Sequence, residues 1–456
     1  MNAPQTPALH PDLTIDHSSH GPLGQPAAWL PFTANRRFQS TAADRTMVSA
    51  QGNYYTNASG HRLFDCLSGM WCCPAGHAHP KLVEAFTQQA KTLDYAPAFQ
   101  ITSPQTLKLA QRIADMAPAG MGKVFFVNSG SEAVDTALKM ALGYHRMKGE
   151  ASRFRMIGRE RGYHGVGLGG LAVGGIPANR KMFGPLLMPG TDHLRHPWNP
   201  EQMAFSKGQP DWGTDLALDL ERLVALHDAS SIAAVIVEPV QGSTGVLVPP
   251  KGYLQKLREI CTKHGILLIF DEVITGFGRL GTPFAAQYFD VQPDMITFAK
   301  AVSNGVVPLG GVIVRDEIQK AFMTGPEHMI EFFHGYTYSG HPMATAVANA
   351  TLDLYAEEGL FENAQRLSPT LEAGLHSLKG TPGITDIRNI GLMGAIDLEP
   401  IAGKPGLRAT EVFERGLKTD LLLRFTGDTL AFAPPFTTTE SEIGQMIESV
   451  KKLVVQ

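Results

Sequence analysis

Residues 295–314 read MITFAKAVSNGVVPLGGVIV, and the way this stretch divides decides the fold. The runs MITF (295–298) and GVIV (311–314) are apolar throughout, as strands buried on both faces should be. Between them lie Lys300 and the glycine-rich turn SNGVVPLGG. The same kind of run recurs upstream as VFFV (124–127), AAVIV (233–237) and ILLIF (266–270). From about residue 75 to 345 such runs alternate with helix-like segments, which predicts an α/β protein built on a mostly parallel sheet covered by helices.

The first four runs in chain order, from VFFV to MITF, share a second property. Each is followed at once by polar or ionisable residues: Asn128 and Ser129, Glu238, Asp271 and Glu272, and Lys300. In open α/β sheets ligands bind beyond the carboxyl ends of the strands, so these four junctions are expected to converge on one site.

Outward from this region the chain changes character. Residues 1–27 are rich in Pro, His and Ser without apolar periodicity and read as an N-terminal arm or strap. Residues 75–345 are expected to form a large domain. Residues 28–74 and 346–456 together are expected to form a smaller α+β domain, with an amphipathic helix at ATAVANATLDLYAEEG (344–359) and a last helix at ESEIGQMIESVKKLVV (440–455).

The bulk properties restrict the partner. The 456 residues carry 39 basic and 43 acidic side chains, a formal net charge of −4, with no lysine or arginine run of the kind that marks a nucleic-acid surface. A small-molecule partner is expected. No stretch approaches about 18 consecutive apolar residues, and the first residues lack the basic start and apolar run of a secretory signal. Membrane association is therefore not expected, and a cytoplasmic location is. Cys72 and Cys73 stand close to His77 and His79, but the spacing matches no usual zinc pattern and no second cysteine pair follows, so no metal is expected.

Three junctions carry the chemistry. VFFVNSGSEAVDTALKMA is a buried strand, a short turn and a helix start, where free N–H groups and the positive end of the helix dipole would bind a phosphate at Ser129, Gly130 and Ser131. An ordinary Ser129 N-cap with Glu132 in the first turn reads equally well. ILLIF delivers Asp271 to a strand end, as a cap, a metal ligand or a partner for a protonated ring nitrogen. MITFA delivers Lys300, whose desolvation there makes a nucleophilic amine more available. Phosphate cradle, acid and amine in one site are the three attachments that pyridoxal phosphate (PLP) needs. GYHG (162–165) adds Tyr163 as a flat surface for a ring, with His164 beside it.

These residues resemble the class III aminotransferases of PLP fold type I, and within them the ω-amino acid:pyruvate group. The resemblance spans nearly the whole chain and rests on LSGMWCCPAGHAHP, NSGSEAVDTALKMA, IGRERGYHGV, VEPVQGSTGVLVPPKGYL, IFDEVITGFGRLG, FAKAVSNGVVPLGGVI, HGYTYSGHP and RFTGDTLAFAPPF. It implies that Lys300 is the Schiff-base lysine and the proton-transfer base, and that Asp271 keeps the pyridine nitrogen protonated. Gly130 and Ser131 would hold the phosphate, Tyr163 would stack on the ring, and Glu238, His164 and Val273 would complete the cofactor-binding set. Thr337 would reach the phosphate of a neighbouring subunit, which implies a homodimer and leaves a tetramer open. Arg424 would pair with the substrate carboxylate and swing aside for uncharged amines, and Trp71 would wall the pocket. One departure is visible: the family pattern has a glutamine within GDTLxF where this chain has Ala431.

The resemblance implies transfer of an amino group from an ω-amino acid, β-alanine foremost, or an amine to pyruvate. Class III transfer to 2-oxoglutarate and an aminomutase are the nearest alternatives, and a PLP-binding protein without turnover is a more distant one. A nicotinamide dehydrogenase is disfavoured, because GGLAVGG (169–175) supplies no G-x-G-x-x-G turn into a helix.

Overall fold

The computed structural model describes residues 27–456, so the expected arm lies, but for its last residue, outside the described residues. The chain first lays down an antiparallel meander of β1 (Met47–Gln51), β2 (Tyr54–Asn57) and β3 (Arg62–Asp65). Seven strands follow: β4 (Lys123–Val127), β5 (Arg155–Arg159), β6 (Thr191–Leu194), β7 (Ile232–Val237), β8 (Leu267–Asp271), β9 (Met295–Ala299) and β10 (Gly310–Val314). They form one sheet in the order β4-β10-β9-β8-β7-β5-β6.

All five apolar runs are strands of this sheet, and β7 to β10 are buried along their whole length. The pairs from β9 through β8, β7 and β5 to β6 are parallel, while β10 runs antiparallel to both β4 and β9. The reversal follows from the short turn after Lys300. A parallel partner for β9 would need a crossover of a dozen or more residues, and only ten separate the two strands. Strands β5 and β6 escape the run-based reading because RMIGR and TDHL interleave charged and polar residues. At the centre of the sheet Phe270 is fully buried, and truncating it to alanine would cost about 3–5 kcal/mol.

The helix Gly130–Met147 starts at the carboxyl end of β4 and packs on β9 and β10 through Ala133, Val134, Ala137, Leu138 and Ala141, a stripe at helical spacing. The segment expected as an amphipathic helix at 344–359 is the helix Pro342–Glu357, buried along nearly its whole length and not on one face only. The reason is its position: it is wedged against the helices Pro80–Thr92 and Pro104–Met116 and against the turn carrying Lys300. Its Tyr355 hydroxyl donates to the Ala301 carbonyl at 2.6 Å.

The C-terminal part contributes β11 (Ile384–Ile390), β12 (Met393–Leu398), β13 (Leu421–Leu422), β14 (Arg424–Thr426) and β15 (Thr429–Phe432). The four-stranded antiparallel order is β11-β12-β15-β14, and β13 pairs in parallel with β3, tying the N-terminal meander to the C-terminal segment. The last helix, Glu440–Val455, begins with a capping box of Thr439 and Glu442.

Candidate active site

Beyond the carboxyl ends of β4, β5, β7, β8 and β9 lies a cavity of about 150 Å³. Its walls include Gly130, Ser131, Tyr163, His164, Glu238, Asp271, Val273 and Lys300, so the four strand-end junctions do meet.

Asp271 is the most firmly oriented group. Its Oδ2 lies 2.7 Å from His164 Nδ1, and its Oδ1 accepts from the Thr297 hydroxyl at 3.1 Å and the Val273 N–H at 3.2 Å. Both carboxylate oxygens are thus fixed in place by neighbouring groups. Thr297 stands directly opposite Asp271 in the β8–β9 register. It is a site residue that sequence reasoning missed, although a hydroxyl inside the apolar run MITF was the available signal.

Glu238 lies behind Tyr163 and accepts from its main-chain N–H at 2.9 Å. Burial pushes the Glu238 carboxyl up to about 7, and the charge of Asp271 adds to the rise while His164 opposes it. Arg159, at the end of β5, donates to the Glu238 carbonyl at 2.6 Å and closes the gap between the two strand ends. The Tyr163 phenol is raised from its ordinary value, first by burial and then by Asp271, so it stays neutral.

The phosphate-type cradle is the start of an 18-residue helix. Ser129 is the N-cap, accepting from the Glu132 N–H at 3.2 Å, while Glu132 accepts from the Asn128 N–H at 2.7 Å. Ser129 therefore serves as the cap and does not line the cavity, whereas Gly130 and Ser131 do. Gly130 is packed against Val273: a Cβ there would lie 3.0 Å from both Val273 methyl carbons. Ser131 Oγ accepts from the Val166 N–H at 3.1 Å. Gly165, also missed from sequence, runs so close that a Cβ would lie 2.7 Å from the Ser131 Cα.

Lys300 follows β9 with φ of 54°, a left-handed conformation uncommon outside glycine. Desolvation holds its ammonium pKa below the ordinary lysine value, with Cys72, Asp271 and Glu238 opposing that shift. Its Nζ lies 5.6 Å from the centre of the Trp71 ring, and Trp71 is itself buried. A wide cleft is lined in part by Phe32, Met70, Cys72, Leu423, Phe425 and Arg424, whose charge acts on both Lys300 and Tyr163. Arg424 is exposed in that cleft, and among the described residues it has no carboxylate partner. Ala431 is buried directly opposite Arg424 across the β14–β15 pair.

Thr337 is not brought to this cavity within its own chain. It is exposed, and its carbonyl accepts from the Tyr95 hydroxyl at 3.1 Å. His77 lies 2.8 Å from Asp65, and His79 caps the helix Pro80–Thr92 by accepting from the Lys81 N–H.

The groups present fit PLP: helix N–H groups and a serine hydroxyl for a phosphate, a carboxylate oriented by three neighbours for a pyridinium, a flat aromatic wall and a desolvated amine. Fold and site together define a PLP enzyme of fold type I. The family model for class-III aminotransferases matches residues 37–454, and the chain belongs to that family. It is 52% identical to the Omega-aminotransferase of Caulobacter vibrioides over 94% of this chain and 97% of that one. It is 50% identical to the Beta-alanine–pyruvate aminotransferase of Pseudomonas aeruginosa over 93% of this chain and 94% of that one. Among solved structures, an amine transaminase from an uncultivated Pseudomonas species in its PLP-bound form superposes with a TM-score of 0.85 at 34% identity, covering 94% of this chain and 98% of that one. The protein is accordingly a PLP-dependent aminotransferase.

Proposed function

We propose that this aminotransferase moves the amino group of an ω-amino acid, β-alanine foremost, or of an amine to pyruvate, yielding a semialdehyde or ketone and alanine. The observation that carries the reading is Arg424, a guanidinium without a carboxylate partner among the described residues, in the cleft that adjoins the Lys300 cavity. Such a fork pairs two N–H groups with a substrate carboxylate. The names of the two relatives, ω-aminotransferase and β-alanine–pyruvate aminotransferase, support the same choice.

When bound, the cofactor would supply an electrophilic carbon for the amine and a conjugated ring to accept electron density from the C–H bond of the amine-bearing carbon. Lys300 would provide the amine that holds the cofactor and, once released, would move the proton at the amine-bearing carbon of the donor, a task suited to an amine whose charged form is disfavoured. Asp271 keeps the ring nitrogen protonated, and His164 and Thr297 keep Asp271 in place. Gly130 and Ser131 anchor the phosphate. Tyr163 covers the ring, with Glu238 behind it and Val273 beside it. Trp71 walls the pocket, and Ala431 leaves the strand position opposite Arg424 without a polar side chain.

Thr337, exposed in its own chain, is read as reaching the cofactor phosphate of a second copy, which makes the working unit a homodimer; pairing into a tetramer is compatible with this. The large domain is taken as residues 75–345, the smaller one as 28–74 with 346–456, and the site of action as the cytoplasm. Initial rates with a panel of donors and matched pyruvate or 2-oxoglutarate test the acceptor. The expected result is a clear preference for pyruvate with β-alanine, and a preference for 2-oxoglutarate overturns it.

A further inference from the structure

The segment LSGMWCCPAGHAHP (67–80) carries unusual backbone geometry. Ser68, Gly69 and Trp71 all have positive φ, at 48°, 67° and 59°. A tryptophan in the left-handed region is a true outlier and persists only where its surroundings enforce it. The Trp71 side chain does not do so itself, because its buried Nε1 has no hydrogen-bond partner among the described residues.

The enforcement comes from a buried carboxylate. Asp65, the last residue of β3, is fully buried. Its Oδ1 accepts from the Leu67 N–H at 3.0 Å, and its Oδ2 accepts from the Gly69 N–H and lies 2.8 Å from His77 Nε2. One side chain thus grips the turn before Trp71 and the chain after it. Two further ties set the direction. Arg279 donates to Ser68 Oγ at 3.0 Å, and Ser68 Oγ donates to the Ala433 carbonyl at 2.7 Å. Asn304, four residues after Lys300, accepts from the Ala75 N–H and donates to the Gly76 carbonyl, both at 2.8 Å. The Trp71 turn is therefore locked to the turn that carries Lys300.

We propose that Asp65 is a positioning residue that holds the Trp71 turn in its strained form and thereby sets the separation between the Trp71 ring and the Lys300 amine, and with it the size of donor the site accepts. The inference rests on the reading of Trp71 as a wall of the donor site. It also gives His77 a role, as the second anchor of Asp65.

The test uses the full-length holoenzyme with pyruvate as acceptor and two donors, β-alanine and an ω-amino acid carrying a bulky aryl substituent. The ratio of their kcat/KM values is measured for the parent, Asp65→Asn, Trp71→Ala and the double variant. Asp65→Asn is expected to shift the ratio at least fivefold, mainly through KM. In the Trp71→Ala background the same substitution is expected to move it less than twofold, because positions acting through one another are not additive. Hydrogen exchange at the Gly69 and Trp71 amides is expected to quicken in Asp65→Asn, a readout independent of turnover. A ratio that is unchanged in Asp65→Asn, or shifted equally in both backgrounds, overturns the proposal. An unchanged ratio in Trp71→Ala alone overturns the reading of Trp71 and the proposal with it. Should Asp65→Asn not fold, His77→Asn removes only the second anchor and is held to the same criteria.

Discussion

Arg424 and Ala431 stand directly opposite one another in the antiparallel pair of β14 and β15, with Ala395 of β12 next in the row. Directly opposed residues of an antiparallel pair project to the same face with their Cβ atoms about 5 Å apart. Ala431 can offer Arg424 no hydrogen bond, so the guanidinium is free to engage a carboxylate or to withdraw from an apolar group.

Ala431→Gln is therefore expected to tether Arg424. A hydrogen bond worth about 1 kcal/mol would raise the preference for β-alanine over an uncharged amine of similar size roughly fivefold. The kcat/KM ratio for the two donors checks this; an unchanged or lowered ratio contradicts it.

Asp271→Asn keeps the size of the side chain and removes its charge. The helix cradle and Lys300 would still hold the cofactor, but the ring nitrogen would lose its charged partner. Transamination is expected to fall by about 10²–10³-fold, the scale of losing one preorganised electrostatic contact. Cofactor content after gel filtration, measured beside the rate, separates loss of chemistry from loss of binding.

The Glu238 carboxyl is raised to about 7 in the folded protein, against an ordinary value of 4.5. The folded state therefore binds more protons than the unfolded state between these values. The contribution of Glu238 to stability is fully present below pH 4.5 and is lost as the pH rises through 7, in total roughly 3 kcal/mol. Glu272 is raised in the same way but is common to parent and variant. Between pH 5 and 8 the parent is expected to lose more stability than Glu238→Gln. Urea midpoints at the two pH values test this, and an equal change in both proteins contradicts it.

Gly165 has φ of +87°, and a Cβ there would meet Ser131 Oγ at 2.3 Å. Gly165→Ala must strain the backbone, at a cost of about 1–3 kcal/mol, or push Ser131 out of the cradle. A lower melting temperature together with a lower cofactor-to-protein absorbance ratio is expected.

Much of this arrangement was legible in the residues. Four of the five apolar runs marked the sheet because strands buried on both faces leave no room for polar alternation, VFFV marked its half-buried edge, and the residues that ended the first four runs in chain order marked the cavity. Strands β5 and β6 were illegible because RMIGR and TDHL set charged, polar or glycine residues among their apolar ones and leave no apolar run. Three site features depend on register or close approach, which a linear sequence does not display: Thr297 beside Asp271, Ala431 opposite Arg424 and Gly165 against Ser131. The same holds for Asp65. As a strand-end acid outside the large sheet it carried no signal until the turn it grips was seen.

The central claim is that Lys300 is the amine through which the cofactor is held and the proton is moved. The direct measurement is Lys300→Ala, assayed for transamination with β-alanine and pyruvate and for a cofactor chromophore that borohydride fixes to the protein. The account predicts loss of both, with cofactor still retained by noncovalent binding at Gly130, Ser131 and Asp271. Turnover near the parent rate, or a borohydride-fixed chromophore in the variant, would contradict it.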